Sequence, residues 1–201
     1  MDSLRGALAL LRKRGALLLV PDLVEAVAGE PVAGTWWAHP AGNTIYRLAN
    51  ELEDHADVVV GKLSRGKVTF VHARLFPALA RVVTDEAWRK ERIAALDAEA
   101  KAALARIERK GPERVDPRLK KVLEPTALLR SFSEHSESGK HVTILESWRA
   151  WMKARKVSVP KTLMLEAALA ELAACGIDLG SDQKSGSLRK KPRASRRSSK
   201  R

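Results

Sequence analysis

Between Asp57 and His72 two β-rich runs, VVVGKL and KVTFVH, flank the tripeptide SRG. Such a pattern makes an antiparallel hairpin, with Gly66 supplying the positive φ that a three-residue loop needs. What precedes it is helical. Residues Ser3 to Arg14 carry Leu4, Leu8 and Leu11 at helical spacing, with Ser3 placed to cap the first turn. Pro21 suits the first turn of a second helix, PDLVEAVAG, whose apolar face is Leu23, Val24 and Val27 and whose end is marked by Gly29. Asn43 or Thr44 can cap a third helix. Its buried stripe is Ile45, Leu48, Ala49 and Leu52, and its outer one is Thr44, Arg47, Glu51 and Asp54. The order is therefore three helices and then a basic-tipped hairpin.

The second half repeats this in outline. Thr84 to Lys110 read as one long helix with Ile93, Leu96, Ala100, Ala103 and Ile107 on a stripe, stopped by Gly111-Pro112. A short helix is expected around Pro117 to Leu123, then the apolar run ALLRSF and the polar turn EHSESG. The segment KHVTILESWRAWMKARK reads as an amphipathic helix, and a last helix as running from about Lys161 to Cys175 behind Pro160. Residues 181–201 hold nine Lys/Arg and one Asp, so they carry +8 of the formal +13. Their only large apolar residue is Leu188, and such a composition implies a disordered basic tail.

The single cysteine, Cys175, excludes an internal disulfide and reads as a small buried apolar residue. The longest apolar run, GALLLV, is far short of the roughly 20 residues that span a bilayer. The basic cluster Arg12, Lys13 and Arg14 interrupts the N-terminal apolar stretch, so no targeting peptide is read there. A cytoplasmic, nucleoid-associated protein without a membrane partner is the expectation.

For chemistry, Lys62, Arg65 and Lys67 bracket the hairpin glycine and are placed to reach phosphates. On the third helix Asn43, Thr44, Arg47 and Asn50 can read base edges, since Asn and Arg offer paired hydrogen bonds to purines. Glu51, Glu53, Asp54 and Asp57 oppose this at the helix's other end, so only its first two turns can enter a groove. In the tail Arg189, Lys190, Lys191, Arg193, Arg196 and Arg197 add sequence-independent attraction. The adjacent Trp36 and Trp37 cannot both enter one core from an extended segment. One ring is expected in the first core and the other against the second half of the chain, with base stacking as the alternative.

No phosphate-binding glycine loop, HExxH, CxxC or GxSxG motif is present. His39, His55, His72, His135 and His141 are scattered, and a lone histidine is usually a satisfied structural group. Glu53, Asp54, His55 and Asp57 face different ways on a helix and rarely share one ion. His135, Glu137 and His141 can meet around a turn, though solvation of a polar loop explains them equally. No catalytic residue, metal ligand or cofactor is assigned.

The helix, helix, helix, hairpin order resembles the winged-helix superfamily, in which the third helix is the recognition helix and the hairpin the wing. The tandem arrangement is faintly similar to bacterial DNA glycosylases built from winged helices, which remove alkylated bases. Those enzymes carry a paired Gln or Gln/Asp motif. The only glutamine here is Gln183, in the basic tail, so no catalytic residue is carried over. The segments WWAHPAGNTIYRLANELEDH and LLRSFSEHSESGKHVTILESWRAW look similar to patterns in bacterial proteins of undefined role, and the Ala/Arg-rich composition agrees with that origin.

The expectation is a mainly α protein with small β-hairpins: a winged helix-turn-helix domain over 1–83, a second helical, winged-helix-like subdomain over 84–180, and the tail. Its expected function is non-enzymatic binding of duplex DNA, in transcriptional regulation or as a DNA-repair accessory. An interaction module, dimerising through the Ala-rich helix, is the first alternative. A DNA-processing enzyme of glycosylase-like type is the second.

Overall fold

The computed structural model describes residues 1–135 and 141–179. They form a mainly helical fold with two small antiparallel sheets. Helix α1 (Leu4–Arg14) starts where the Ser3 hydroxyl accepts from the Gly6 amide, and ends at Gly15. Strand β1 (Ala16–Leu18), helix α2 (Val24–Ala28) and a 3-10 turn at Trp36–Ala38 lead to α3 (Gly42–Asp54). Strands β2 (Val58–Ser64) and β3 (Lys67–His72) complete a sheet of order β1-β3-β2.

Strand β1 is not part of the sequence reading, and two further details differ from it. Helix α3 begins at Gly42, with Ala41 at the cap, so Asn43 and Thr44 lie inside the first turn. The His39 ring, through Nδ1, accepts from the Ala41 amide in place of the expected side-chain cap. Gly42 is required there: a Cβ would stand 2.9 Å from the Trp37 carbonyl oxygen. The hairpin loop has two residues, closed by the pair Ser64 and Lys67. Arg65 at φ 50° and Gly66 at φ 74° both take positive φ, as the two-residue loop matched to strand twist demands.

The sheet is covered on both faces. Leu17, Val58, Val60 and Phe70 enter one core with Ala7 and Leu11 of α1, Leu23 and Val24, and Ile45, Leu48 and Leu52 of α3. Their neighbours Ala16, Val59, Leu63 and Val71 point the other way, into a second core built from the rest of the chain.

That second core is led by α4 (Phe76–Val83), in which Phe76, Ala78, Leu79, Ala80, Val82 and Val83 are all buried. The single long helix expected over 84–110 is two helices, α5 (Glu86–Ala94) and α6 (Ala98–Lys110). Asp97 accepts from the Ala100 amide and starts a new helix, while Leu96 turns inward. Then come β4 (Glu113–Arg114), α7 (Pro117–Leu123) capped by Asp116, β5 (Leu129–His135), β6 (His141–Ser147), α8 (Trp148–Arg155) and α9 (Leu165–Ala174).

The amphipathic helix expected from Lys140 to Lys156 is thus half strand. Val142, Thr143 and Ile144 are β-branched and pair with Glu134, Ser133 and Phe132, and the Ser147 hydroxyl accepts from Ala150 to begin α8. The second sheet has the order β4-β6-β5, the same as the first. The outer strands β2 and β5 lie against each other. Beneath them Trp148, Trp151 and Phe76 make a chain of edge-on contacts, with centroids 5.6 and 5.0 Å apart. The Trp148 indole donates to the Ala127 carbonyl at 2.8 Å.

Ile177 and Leu179 are buried, and the Leu179 carbonyl accepts from Trp88 Nε1 at 2.9 Å and Arg92 Nη2 at 2.7 Å. Cys175 is half-buried rather than fully enclosed. The basic tail, with Arg189, Lys190, Lys191, Arg193, Arg196 and Arg197, lies outside the described residues, as does Glu137. Among the described residues no helix is long and apolar enough to cross a membrane.

Trp148→Ala removes one end of the aromatic chain and should cost roughly 3–5 kcal/mol in urea unfolding. A loss below about 1 kcal/mol would contradict this packing. Asp85 caps α5, and the Trp88 amide it accepts from holds its carboxyl below the usual range, with Arg81 assisting. A lowered folded value means stability present above the unfolded pKa, about 3.9, and lost as pH falls through the folded one. Asp85→Ala should therefore cost about 1 kcal/mol at neutral pH. The gap from the parent should close on acidification, and thermal melts of both proteins from pH 7 to pH 2 check it.

Candidate nucleic-acid interface

The outer face of α3 follows from its periodicity. With Ile45, Leu48 and Leu52 fully buried, Asn43, Tyr46 and Arg47 are exposed and Thr44 and Asn50 partly so. Asn43, Arg47 and Asn50 sit three and four residues apart, so the face presents two amides on either side of a guanidinium. Arg47 is already engaged: Nη1 reaches Glu51 at 2.8 Å and Nη2 donates to the Asp2 carbonyl at 2.8 Å. The acidic end of α3 is divided in the same way, since Glu51 balances Arg47 while Asp54 stays exposed.

The tryptophan pair flanks this face. Trp36 is half-buried against the first core, as expected of one ring. Trp37 does not reach the second half of the chain. It is 69% exposed and meets Trp36 edge-on at 5.7 Å. The 3-10 turn explains the difference, because it rotates successive side chains by about a third of a turn, so one ring packs and the next faces water. Sequence spacing could not separate the two.

The three hairpin cations have different fates. Lys62 is turned away from the tip, and its Nζ lies 2.6 Å from Glu124 Oε2, a carboxylate that is almost fully buried. Lys120 approaches the same carboxylate at 4.0 Å and donates to Thr143 Oγ1 at 2.7 Å. These groups line a cleft of about 280 Å³ between the two sheets, with Glu53, Ser131 and Phe132. The structure therefore spends Lys62 on the seam between the halves, a role that needed Glu124 to be seen. Arg65 is 80% exposed, with Asp178 at 3.9 Å, and Lys67 is exposed. The Ser64 hydroxyl donates to the Gly176 carbonyl, so the hairpin tip rests on the segment that leads into the basic tail.

The histidines build turns. His39, His55 and His72 each accept, through Nδ1, the amide two residues ahead, at Ala41, Asp57 and Arg74. Burial pushes the His72 imidazole below its usual value despite Asp57 nearby. Among the described residues no group of three His, Cys, Asp or Glu is arranged to hold a metal ion. His135 and His141 are register partners across β5 and β6.

Trp37→Ala should leave stability within about 0.5 kcal/mol, whereas Trp36→Ala should cost roughly 1–3 kcal/mol. Denaturant melts of the two variants check this, and equal costs would contradict the unequal burial. No protein-family model, curated protein or solved structure matches the chain in comparisons with known proteins.

Proposed function

We propose that this is a DNA-binding protein whose first 83 residues act as a winged-helix module, α3 entering the major groove and the hairpin serving as the wing. The observation that carries this reading is the element order α1-β1-α2-α3-β2-β3 with strand order β1-β3-β2, which leaves the outer face of α3 uncovered. The amides of Asn43 and Asn50 are suited to adenine edges, Thr44 to either base, and Arg47 to guanine once it exchanges Glu51 for a base. Arg65 and Lys67 are wing contacts to phosphate. The hairpin tip adjoins Gly176 and Asp178, a few residues before the nine tail cations in sequence. The strand order β4-β6-β5 supports a second module of the same kind.

A second reading draws on Trp37. An exposed indole and, on the following helix, the exposed Tyr46 suit a protein partner as well as a nucleobase. In that case the first module is an interaction scaffold and a homodimer becomes a possible assembly.

Fluorescence anisotropy with duplex DNA separates the two. Truncation after residue 180 should flatten the dependence of log affinity on log salt and leave the melting temperature nearly unchanged. In the truncated protein, R65A/K67A should lower that slope by about two, at roughly 0.9 per phosphate. N43A and N50A should instead reduce discrimination between sequences, by about 1–3 kcal/mol. No duplex binding by the truncated protein at low salt would remove the DNA reading of the folded part and favour the interaction scaffold.

A further inference from the structure

Helices α5, α6 and α8 enclose an open groove of about 410 Å³. Its lining includes apolar Ile93 and Ala94, and it carries Lys90 and Arg89 from α5, Lys101 from α6 and Arg149 from α8. Arg89 is structural: it donates to the Val83 and Leu128 carbonyls and pairs with Glu108. The other three are different. Lys90, Lys101 and Arg149 are exposed and make no ion pair with a described residue. Glu86 is the one carboxylate among the groove's lining residues.

Three helices converging three uncompensated cations on one concavity is an arrangement that repels itself until an anion enters. The lining offers neither a glycine loop nor a histidine, and no cluster of backbone donors such as a compact phosphate pocket uses. Long, separately mounted cations suit charges spaced along a polymer, which they meet as point contacts. Helix α8 also ties the groove to α3. Arg149 lies near its start, and Arg155, about 9 Å further along the axis, donates to the Ala56 carbonyl just beyond α3.

We infer that this groove is a second nucleic-acid contact, in which Lys90, Lys101 and Arg149 neutralise successive phosphates of a phosphodiester backbone. The inference rests on the DNA reading above and extends it to the second half of the chain.

The test uses the full chain, a short fluorescent duplex and a salt titration. K90Q/K101Q/R149Q should lower the slope of log affinity against log salt by about two to three, at roughly 0.9 per phosphate, with the circular dichroism and melting temperature of the parent. Glu86→Gln removes the opposing charge and should tighten binding about two- to fivefold, the usual scale of an exposed pair. An unchanged slope in a folded triple variant overturns the groove assignment and leaves the α3 and hairpin reading standing. Should the triple variant fail to fold, unchanged affinity in Glu86→Gln overturns it instead. Polyglutamate binding that the triple variant loses, with duplex binding intact, would put an acidic polypeptide in the groove and overturn the phosphodiester. Absence of duplex binding by the parent overturns the DNA reading itself, and this inference with it.

Discussion

The first sheet has no solvent face, and the rest of the structure is arranged around that fact. Strands buried on both sides read as continuous apolar runs, and Val58, Val59 and Val60 are one. Val58 and Val60 close the core under α1, α2 and α3, while Val59 with Leu63 closes the core under α4 and the tryptophans of α8. A three-stranded sheet with an open face would leave the helical half and the C-terminal half joined only by their linker. Here one wall serves both, so the orientation of α3 and of the hairpin is fixed relative to α8 and to the segment ending at Leu179. The second sheet then leans its outer strand β5 on β2, with the Lys62–Glu124 pair in the seam.

Much of the first half was legible in the sequence because its signals are local. Ser3, Gly29 and the spacing of Ile45, Leu48 and Leu52 state where helices begin, end and face. The second half was harder, for three physical reasons. Helix α4 is eight residues long with six of them buried, a short apolar run that periodicity alone does not separate from a strand. The break between α5 and α6 rests on one capping Asp97 inside an Ala-rich stretch that would otherwise continue as helix. The stretch from Val142 to Met152 fits a helical stripe, yet β-branched residues pairing with β5 make its first part a strand, a tertiary preference that overrides periodicity.

The candidate site divides along the same line. The outer residues of α3 and the exposed tip of the hairpin follow from local pattern. Which cations are spoken for does not follow in the same way, because several of their partners are remote in sequence. Lys62 meets Glu124, 62 residues away, and Arg47 meets the Asp2 carbonyl, 45 residues away. Basic residues of equal formal charge thus fall into two populations: those consumed by the fold, such as Arg89, Arg106 and Arg130, and those left facing water, such as Lys67, Lys90 and Lys101. Net charge counts both alike, but long-range attraction of a polyanion belongs mainly to the second.

The hairpin loop places Arg65 in the left-handed backbone region, where an L residue with a full side chain is strained and where Asn or Gly is at ease. The residue best for the turn is consequently not the residue best for the tip's charge. Any chain that improves this loop by the cheapest route, exchanging Arg65 for Asn or Gly, gains conformational ease and surrenders a cation at its most exposed point. Stability and charge are thus set against each other at a single position.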